Sequence, residues 1–378
     1  MKNTSLLLIL VLLSACTQKR DSNLSYGKLQ GRFQETIDSI YTANPDIKGI
    51  MVHVESPSYD ISWSGASGYS DYHKKQILKA DQPALIASCI KTYVTATILR
   101  LVEMGKIQLE QPVKCLLTEN TRKLFQDDGY QLDSIKVYQL MSHTSGIKDY
   151  ANDSYIEYIT KNPEHRWTRN EQLQRTVNVG EPLGKPGAVF SYADANYLLL
   201  TEIIEGLCDK PFYLIMRELL RYKELGLDDT WFPTLEETPR KVKPLVHQYW
   251  GRYDWDSYKI DISWDLYGGG GIACNTEDLA KFSYNLFNSA IVKDTAVLKL
   301  FFKEISTQDS LPNQYHLGLS EDQYSGIEGY GHGGFWGTVV MYFPKLEASI
   351  AVYVLEKDKE FLTRDILEQM VKLMNDMH

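Results

Sequence analysis

Ser88 and Lys91 stand three residues apart at the head of an apolar run, Ala87-Ser88-Cys89-Ile90-Lys91, which continues to Met104-Gly105. On a helix this spacing makes them face neighbours with Cβ atoms roughly 5–6 Å apart, close enough for an amine to hydrogen-bond a hydroxyl. A serine hydroxyl is a weak nucleophile until a base takes its proton. A lysine can be that base only where burial lowers its pKa towards neutrality. The pattern alone is weak, because Ser-x-x-Lys recurs at Ser25/Lys28 and Ser145/Lys148, and about one or two chance matches are expected at ordinary composition. Context selects Ser88. Ser25 sits in a polar stretch and Ser145 is followed at once by Gly146, whereas Ser88 opens a segment (Tyr93, Val94, Ala96, Ile98, Leu99, Leu101, Val102) that is apolar nearly all round and predicts a central, buried helix stopped by Gly105.

Four further stretches could serve such a site. Leu140-Met141-Ser142-His143-Thr144-Ser145-Gly146-Ile147 suits a tight, self-hydrogen-bonded turn, with His143 satisfied inside it. Pro186-Gly187 leads through Phe190-Ser191-Tyr192-Ala193-Asp194 into a helix over 195–207. The stretch from Tyr249 to Tyr267 is dense in Tyr and Trp, either lining a cleft or packing a hairpin. Gly331-His332-Gly333-Gly334 stands just before a strand. Other designs are excluded. The Gly268–Gly271 run lacks the Lys-Ser/Thr of a phosphate loop, and there is no Gly-x-Ser-x-Gly elbow and no His-Glu-x-x-His.

The positioning elements follow from hydrophobic period. Leu29, Phe33, Ile37 and Tyr41 give an amphipathic first helix ended by Asn44-Pro45. Strands are expected over 50–55 and 59–64, and again over 338–343 and 348–355 around Pro344-Lys345. A last helix carries Leu362, Ile366, Met370, Leu373 and Met377 on one face. The expected fold is therefore α+β: an antiparallel sheet completed by both chain ends and flanked by N- and C-terminal helices, with an inserted, mostly helical lobe. The sheet lobe takes roughly 27–85 and 270–378, the helical lobe roughly 86–269, with a cleft between them.

A net charge of −9 excludes nucleic acid as the main partner, since binding it needs a basic face. Leu6–Leu13 is too short to span a bilayer and ends in Leu13-Ser14-Ala15-Cys16, which resembles the lipobox of bacterial lipoproteins. The expectation is a signal peptide over 1–15, lipidation of Cys16, a tether over 16–26, and membrane attachment in a bacterial cell envelope. Cys89, Cys115, Cys208 and Cys274 lack a Cys-x-x-Cys pair, and the eight histidines show no metal spacing, so no metal site is expected. Disulfides among the four are left open. Cys89 is read as a buried small apolar residue rather than a second nucleophile.

Together these stretches resemble the serine β-lactamase and penicillin-binding protein family, in the branch of class C β-lactamases, D-alanyl-D-alanine carboxypeptidases and related esterases. The likeness runs from the Ile50 strand to the Leu355 strand with four blocks in order: Ser88 to Lys91, the Leu-Met-Ser-His-Thr-Ser-Gly-Ile block, Tyr192 in a Tyr-x-Asn position, and His332-Gly333-Gly334 in a Lys/His-Thr-Gly position. The resemblance implies an acyl-enzyme on Ser88, with Lys91 or Tyr192 as base. It also implies an oxyanion hole from the backbone N–H groups of Ser88 and Phe335, substrate contacts from Asp194, His332, Gly333 and Gly334, no cofactor, and a small-molecule or peptide substrate. Two departures matter. Asp194 replaces the asparagine of the motif, the literal Tyr150-Ala151-Asn152 lying elsewhere. An aspartate there favours the lysine ammonium and makes Tyr192 the expected base, unless Asp194 is simply a helix cap. His332 replaces the usual sheet-edge lysine, which predicts weak β-lactam turnover or turnover that rises at acid pH. A β-lactamase and a catalytically silent binding or sensor protein are the competing readings.

Overall fold

The computed structural model describes residues 14–307 and 315–376, with side chains from residue 27 onward. Residues 1–13 of the signal peptide expected over 1–15, and Met377, lie outside the described residues, as does the side chain of Cys16. Helix α1 spans Ser14–Ala43 and is followed by β1 (Gly49–Ser56), β2 (Ile61–Asp71) and a short β3 (Gln76–Ile77). Tyr59, expected in the second strand, belongs instead to the 3-10 turn Pro57–Tyr59. The nucleophile segment enters through a 3-10 turn, Ala87–Cys89, into helix α2 (Ile90–Glu103). Gly105, at φ 68°, stops that helix. Its N–H reaches the Val102 carbonyl and the Lys106 N–H the Leu101 carbonyl, the paired bonds of a Schellman end.

Beyond the middle segment come helix α3 (Asp194–Cys208), helix α4 (Thr276–Phe287), strands β4 (Ser320–Tyr324), β5 (Ile327–Gly334), β6 (Thr338–Phe343) and β7 (Ala348–Val354), and helix α5 (Leu362–Asn375). The strands form one seven-stranded sheet in the order β3-β2-β1-β7-β6-β5-β4, antiparallel throughout. Both chain ends complete it, with β1 beside β7 (Ile50 opposite Val354).

Strand period 2 sorts the side chains between two cores. Ile50, Val52 and Val54 of β1, and Ile350, Val352 and Val354 of β7, face α1 and α5 with Phe33, Ile37, Ile366 and Met370. Met51, Val340, Ala351 and Tyr353 face the other way, into the core around α2, α3 and α4. A sheet covered on both faces explains why every residue of β1, β6 and β7 is buried.

The histidine-glycine block stands just before β6, as read from the sequence, and is also the end of a strand of its own, β5. Its close approach to the nucleophile turn requires glycine: a Cβ at Gly334 would lie 2.2 Å from the Ile86 carbonyl oxygen. Thr338 donates to that same carbonyl at 2.9 Å, and the Cys89 thiol donates to the His332 carbonyl at 3.2 Å, so β5 and β6 are stitched to the residues flanking Ser88.

Candidate active site

Ser88 is half-buried at the mouth of α2, and Lys91 is wholly buried one turn along. The residue before the serine, Ala87, is held at φ 46°, a conformation costing a residue with a Cβ about 1–2 kcal/mol. Lys91 Nζ donates to Ser88 Oγ at 2.9 Å and to the Gly269 carbonyl at 3.1 Å, and lies 2.7 Å from Asp194 Oδ1. Ser88 Oγ in turn donates to Gly269 O at 3.4 Å. The Tyr192 phenol sits beside this pair, with Lys91 Nζ 5.1 Å from its ring centre and both Lys91 and Ser88 acting on its hydroxyl. Serine, amine and phenol therefore share one point, at the floor of a cavity of about 530 Å³ also lined by Asp149, Asp265, Trp264, His332, Gly333, Gly334 and Phe335.

The charges at this point are unusual. Burial alone would lower the Lys91 pKa, but Asp194 and then Tyr192 more than offset it, and the net effect raises it above the ordinary lysine value. The Tyr192 phenol is also pushed up, chiefly by burial, with Lys91 opposing. Asp194 is not the cap of its helix; it is the first residue inside, after Ala193. Its own N–H is received by Asp149 Oδ1 at 3.1 Å. Burial, and then the negative charge of Asp194, raises Asp149 to about 7 and holds Asp265 well above the usual carboxylate range.

His332 departs from expectation. It is 5% exposed, and burial, followed by the nearby Lys91 charge, brings its pKa down to about 3. It therefore stays neutral across the range where a gain of charge at acid pH was expected. Its Nδ1 faces the Gly333 carbonyl at 2.5 Å and its Nε2 the Tyr315 hydroxyl at 3.0 Å. Tyr315 also meets His143 Nε2 at 3.3 Å, while His143 Nδ1 accepts from the Ala193 N–H at 3.1 Å. An acceptor at His143 Nδ1 leaves its proton on Nε2. The chain then runs in one sense, from His143 Nε2–H to the Tyr315 oxygen and from Tyr315 O–H to His332 Nε2. His143 thus does sit inside its turn, at φ 55°, and also ties that turn to the strand edge.

The remaining motifs resolve structurally. Ser145 donates to Asn196 Oδ1 at 2.6 Å and accepts from the Ile147 N–H, which closes the turn and excludes it as a nucleophile. Asn152 of the literal Tyr-x-Asn caps the helix Asp153–Lys161. All four described cysteines are free thiols, and burial pushes Cys89 up to about 12. The aromatic stretch does both things left open: Trp250 and Trp255 pair across a short hairpin, and Trp264, 5.1 Å from the Phe335 ring, walls the cavity. Sequence reading missed Asp149, Asp265, Gly269 and Tyr315. The first follows the His-Thr-Ser-Gly block by three residues and the second lies two residues before the end of the aromatic stretch, so one lay beside and the other inside a segment already singled out.

Residues 47–369 match the family model described as Beta-lactamase, and the chain belongs to that family, whose members are serine hydrolases. The putative penicillin-binding protein PbpX of Bacillus subtilis is 26% identical over 217 residues, which are 57% of this chain and 49% of that protein. The mitochondrial serine beta-lactamase-like protein LACTB of Bos taurus is 31% identical over 105 residues, 28% of this chain and 18% of that one. The chain thus aligns with about half or less of the length of these relatives. The D-amino acid amidase of Ochrobactrum anthropi SV3 superposes with a TM-score of 0.75 at 20% identity, covering 93% of this chain and 99% of its own. A D-stereospecific amidohydrolase from Streptomyces reaches 0.72 at 22% identity, covering 89% and 98%.

Proposed function

We propose that the protein is a serine hydrolase that cleaves a small amide or ester through an acyl-enzyme on Ser88. The observation that carries this reading is the 2.9 Å contact of Lys91 Nζ with Ser88 Oγ at an open cavity, with the Tyr192 ring beside them. Lys91 and Tyr192 form a coupled pair, and the active form has lost one proton from it. Asp194 keeps the remaining proton on Lys91, so the vacancy falls on Tyr192. The phenolate takes the Ser88 proton as Oγ attacks the carbonyl carbon, and the phenol returns it to the leaving amine or alcohol. The backbone N–H groups of Ser88 and Phe335, two residues that line the cavity, would receive the oxyanion. Water then releases the acyl group by the reverse proton path.

The names of solved neighbours (a D-amino acid amidase, a D-stereospecific amidohydrolase, and EstCE1, a hydrolase with promiscuous acyltransferase activity) support an amide or ester substrate, D-alanyl peptides included. The lipobox-like Leu13-Ser14-Ala15-Cys16 supports attachment to a bacterial envelope membrane through Cys16. The silent-binder reading has one observation in its favour, the ion pair that holds Lys91 as an ammonium. A fluorophosphonate separates the two: covalent labelling of Ser88 is expected from a hydrolase, and an unlabelled serine would favour the binder.

A further inference from the structure

We propose that Asp265, supported by Asp149, is a receptor for a cationic amino group next to the scissile carbonyl, so that the substrates are amides or esters whose acyl part carries a free amine. This rests on the hydrolase reading above and names its substrate class. Asp265 ends the 3-10 turn Ile262–Asp265, is 6% exposed, and lines the cavity. Among the described residues its carboxylate accepts no hydrogen bond and pairs with no cation. A buried carboxylate without a partner is costly, and it retains its charge only when a counter-ion arrives.

The cations within reach are already taken. Lys91 is held by Asp194, Ser88 and Gly269. Lys357 on the cavity rim is paired with Glu360. No group of three described His, Cys, Asp or Glu side chains is placed to hold a metal ion. An ammonium would bring Asp265 both a positive charge and hydrogen-bond donors.

Position fixes where that ammonium must be. The Asp265 carboxylate lies against the backbone of Gly269 and Gly270: a Cβ at Gly270 would fall 1.9 Å from Oδ2, and one at Gly269 3.0 Å from Oδ1. The carbonyl of that same Gly269 receives both Ser88 and Lys91. Receptor and nucleophile are thus separated by about one residue of backbone, the reach of an α-amino group rather than of a distant side chain. Asp149 Oδ1 is occupied by the Asp194 and Ala151 N–H groups, which leaves its second oxygen for the same cation.

The test compares an amino acid p-nitroanilide or p-nitrophenyl ester with its N-acetyl derivative, in wild type and in Asp265→Asn. Wild type is expected to favour the free amine by at least tenfold in kcat/KM, and Asp265→Asn to reduce that ratio at least tenfold. Equal or better turnover of the N-acetyl compound by wild type would overturn the proposal, whatever the fate of the variant. So would a ratio unchanged in a folded Asp265→Asn. Calorimetry on Ser88→Ala separates this from failure of the hydrolase reading: an amino acid amide should bind at least tenfold tighter than its N-acetyl form even where no substrate turns over, and equal affinities would sink the receptor alone.

Discussion

At the scale of single residues, the site turns on where one proton is missing. An ordinary lysine base needs a lowered pKa, yet here Asp194 at 2.7 Å holds Lys91 as an ammonium. Loss of a proton from the Lys91–Tyr192 pair activates the serine, so kcat/KM for a neutral p-nitrophenyl ester is expected to rise with pH into the alkaline range. Asp194 raises both members of the pair. Asp194→Asn should therefore move that limb to lower pH by about 1–3 pH units; a limb that stays in place or moves up would contradict the assignment. Tyr192→Phe should lower acylation by about 10²–10⁴-fold, read by stopped-flow release of p-nitrophenol. Ser88, Lys91, Tyr192 and Asp194 were legible in the sequence because each lies in a short local pattern. Asp149 and Asp265 were not, because nothing local states that positions 116 residues apart will line one cavity.

At the scale of elements, the strand edge acts through fit and neutrality rather than charge. Gly334→Ala would drive a methyl into the Ile86 carbonyl and push β5 away from the nucleophile turn. The expected result is at least a hundredfold loss of kcat, with about 1–3 kcal/mol lost in urea unfolding. The His143–Tyr315–His332 chain makes a second prediction. Folded His332 stays neutral to about pH 3, whereas in the unfolded chain it takes up a proton below about 6.5. Its depressed pKa therefore contributes stability that is present above pH 6.5 and lost as pH falls towards 3. Relative to His332→Gln, the wild type should lose about 1.4 kcal/mol for each pH unit below 6.5, and parallel stability curves would refute this. The strand itself escaped sequence reading because its glycines carry no hydrophobic alternation, although those glycines are what the tight approach demands.

At the scale of the whole molecule, hydrophobic period at the two chain ends was enough to foresee a sheet closed by both of them, since β1 and β7 must pair to bury Ile50, Val52, Val352 and Val354. The middle of the chain said less, because its helices are short and its site residues sit on turns. What those turns assemble is a cavity whose positive groups are already engaged, Lys91 by Asp194 and Lys357 by Glu360, with His332 neutral. Among its described residues, such a cavity offers no free cation to the carboxylate of a penicillin. Benzylpenicillin hydrolysis should therefore fall at least a hundredfold below that of a neutral ester, and His332→Gln should leave its pH profile unchanged between 5 and 8. Efficient penicillin turnover, or a profile that follows His332, would count against this electrostatic picture. The most direct measurement is intact mass spectrometry after treatment with a fluorophosphonate. The mechanism predicts a single adduct mapped to Ser88 and absent from Ser88→Ala; an unmodified wild type, or equal labelling of both proteins, would contradict it.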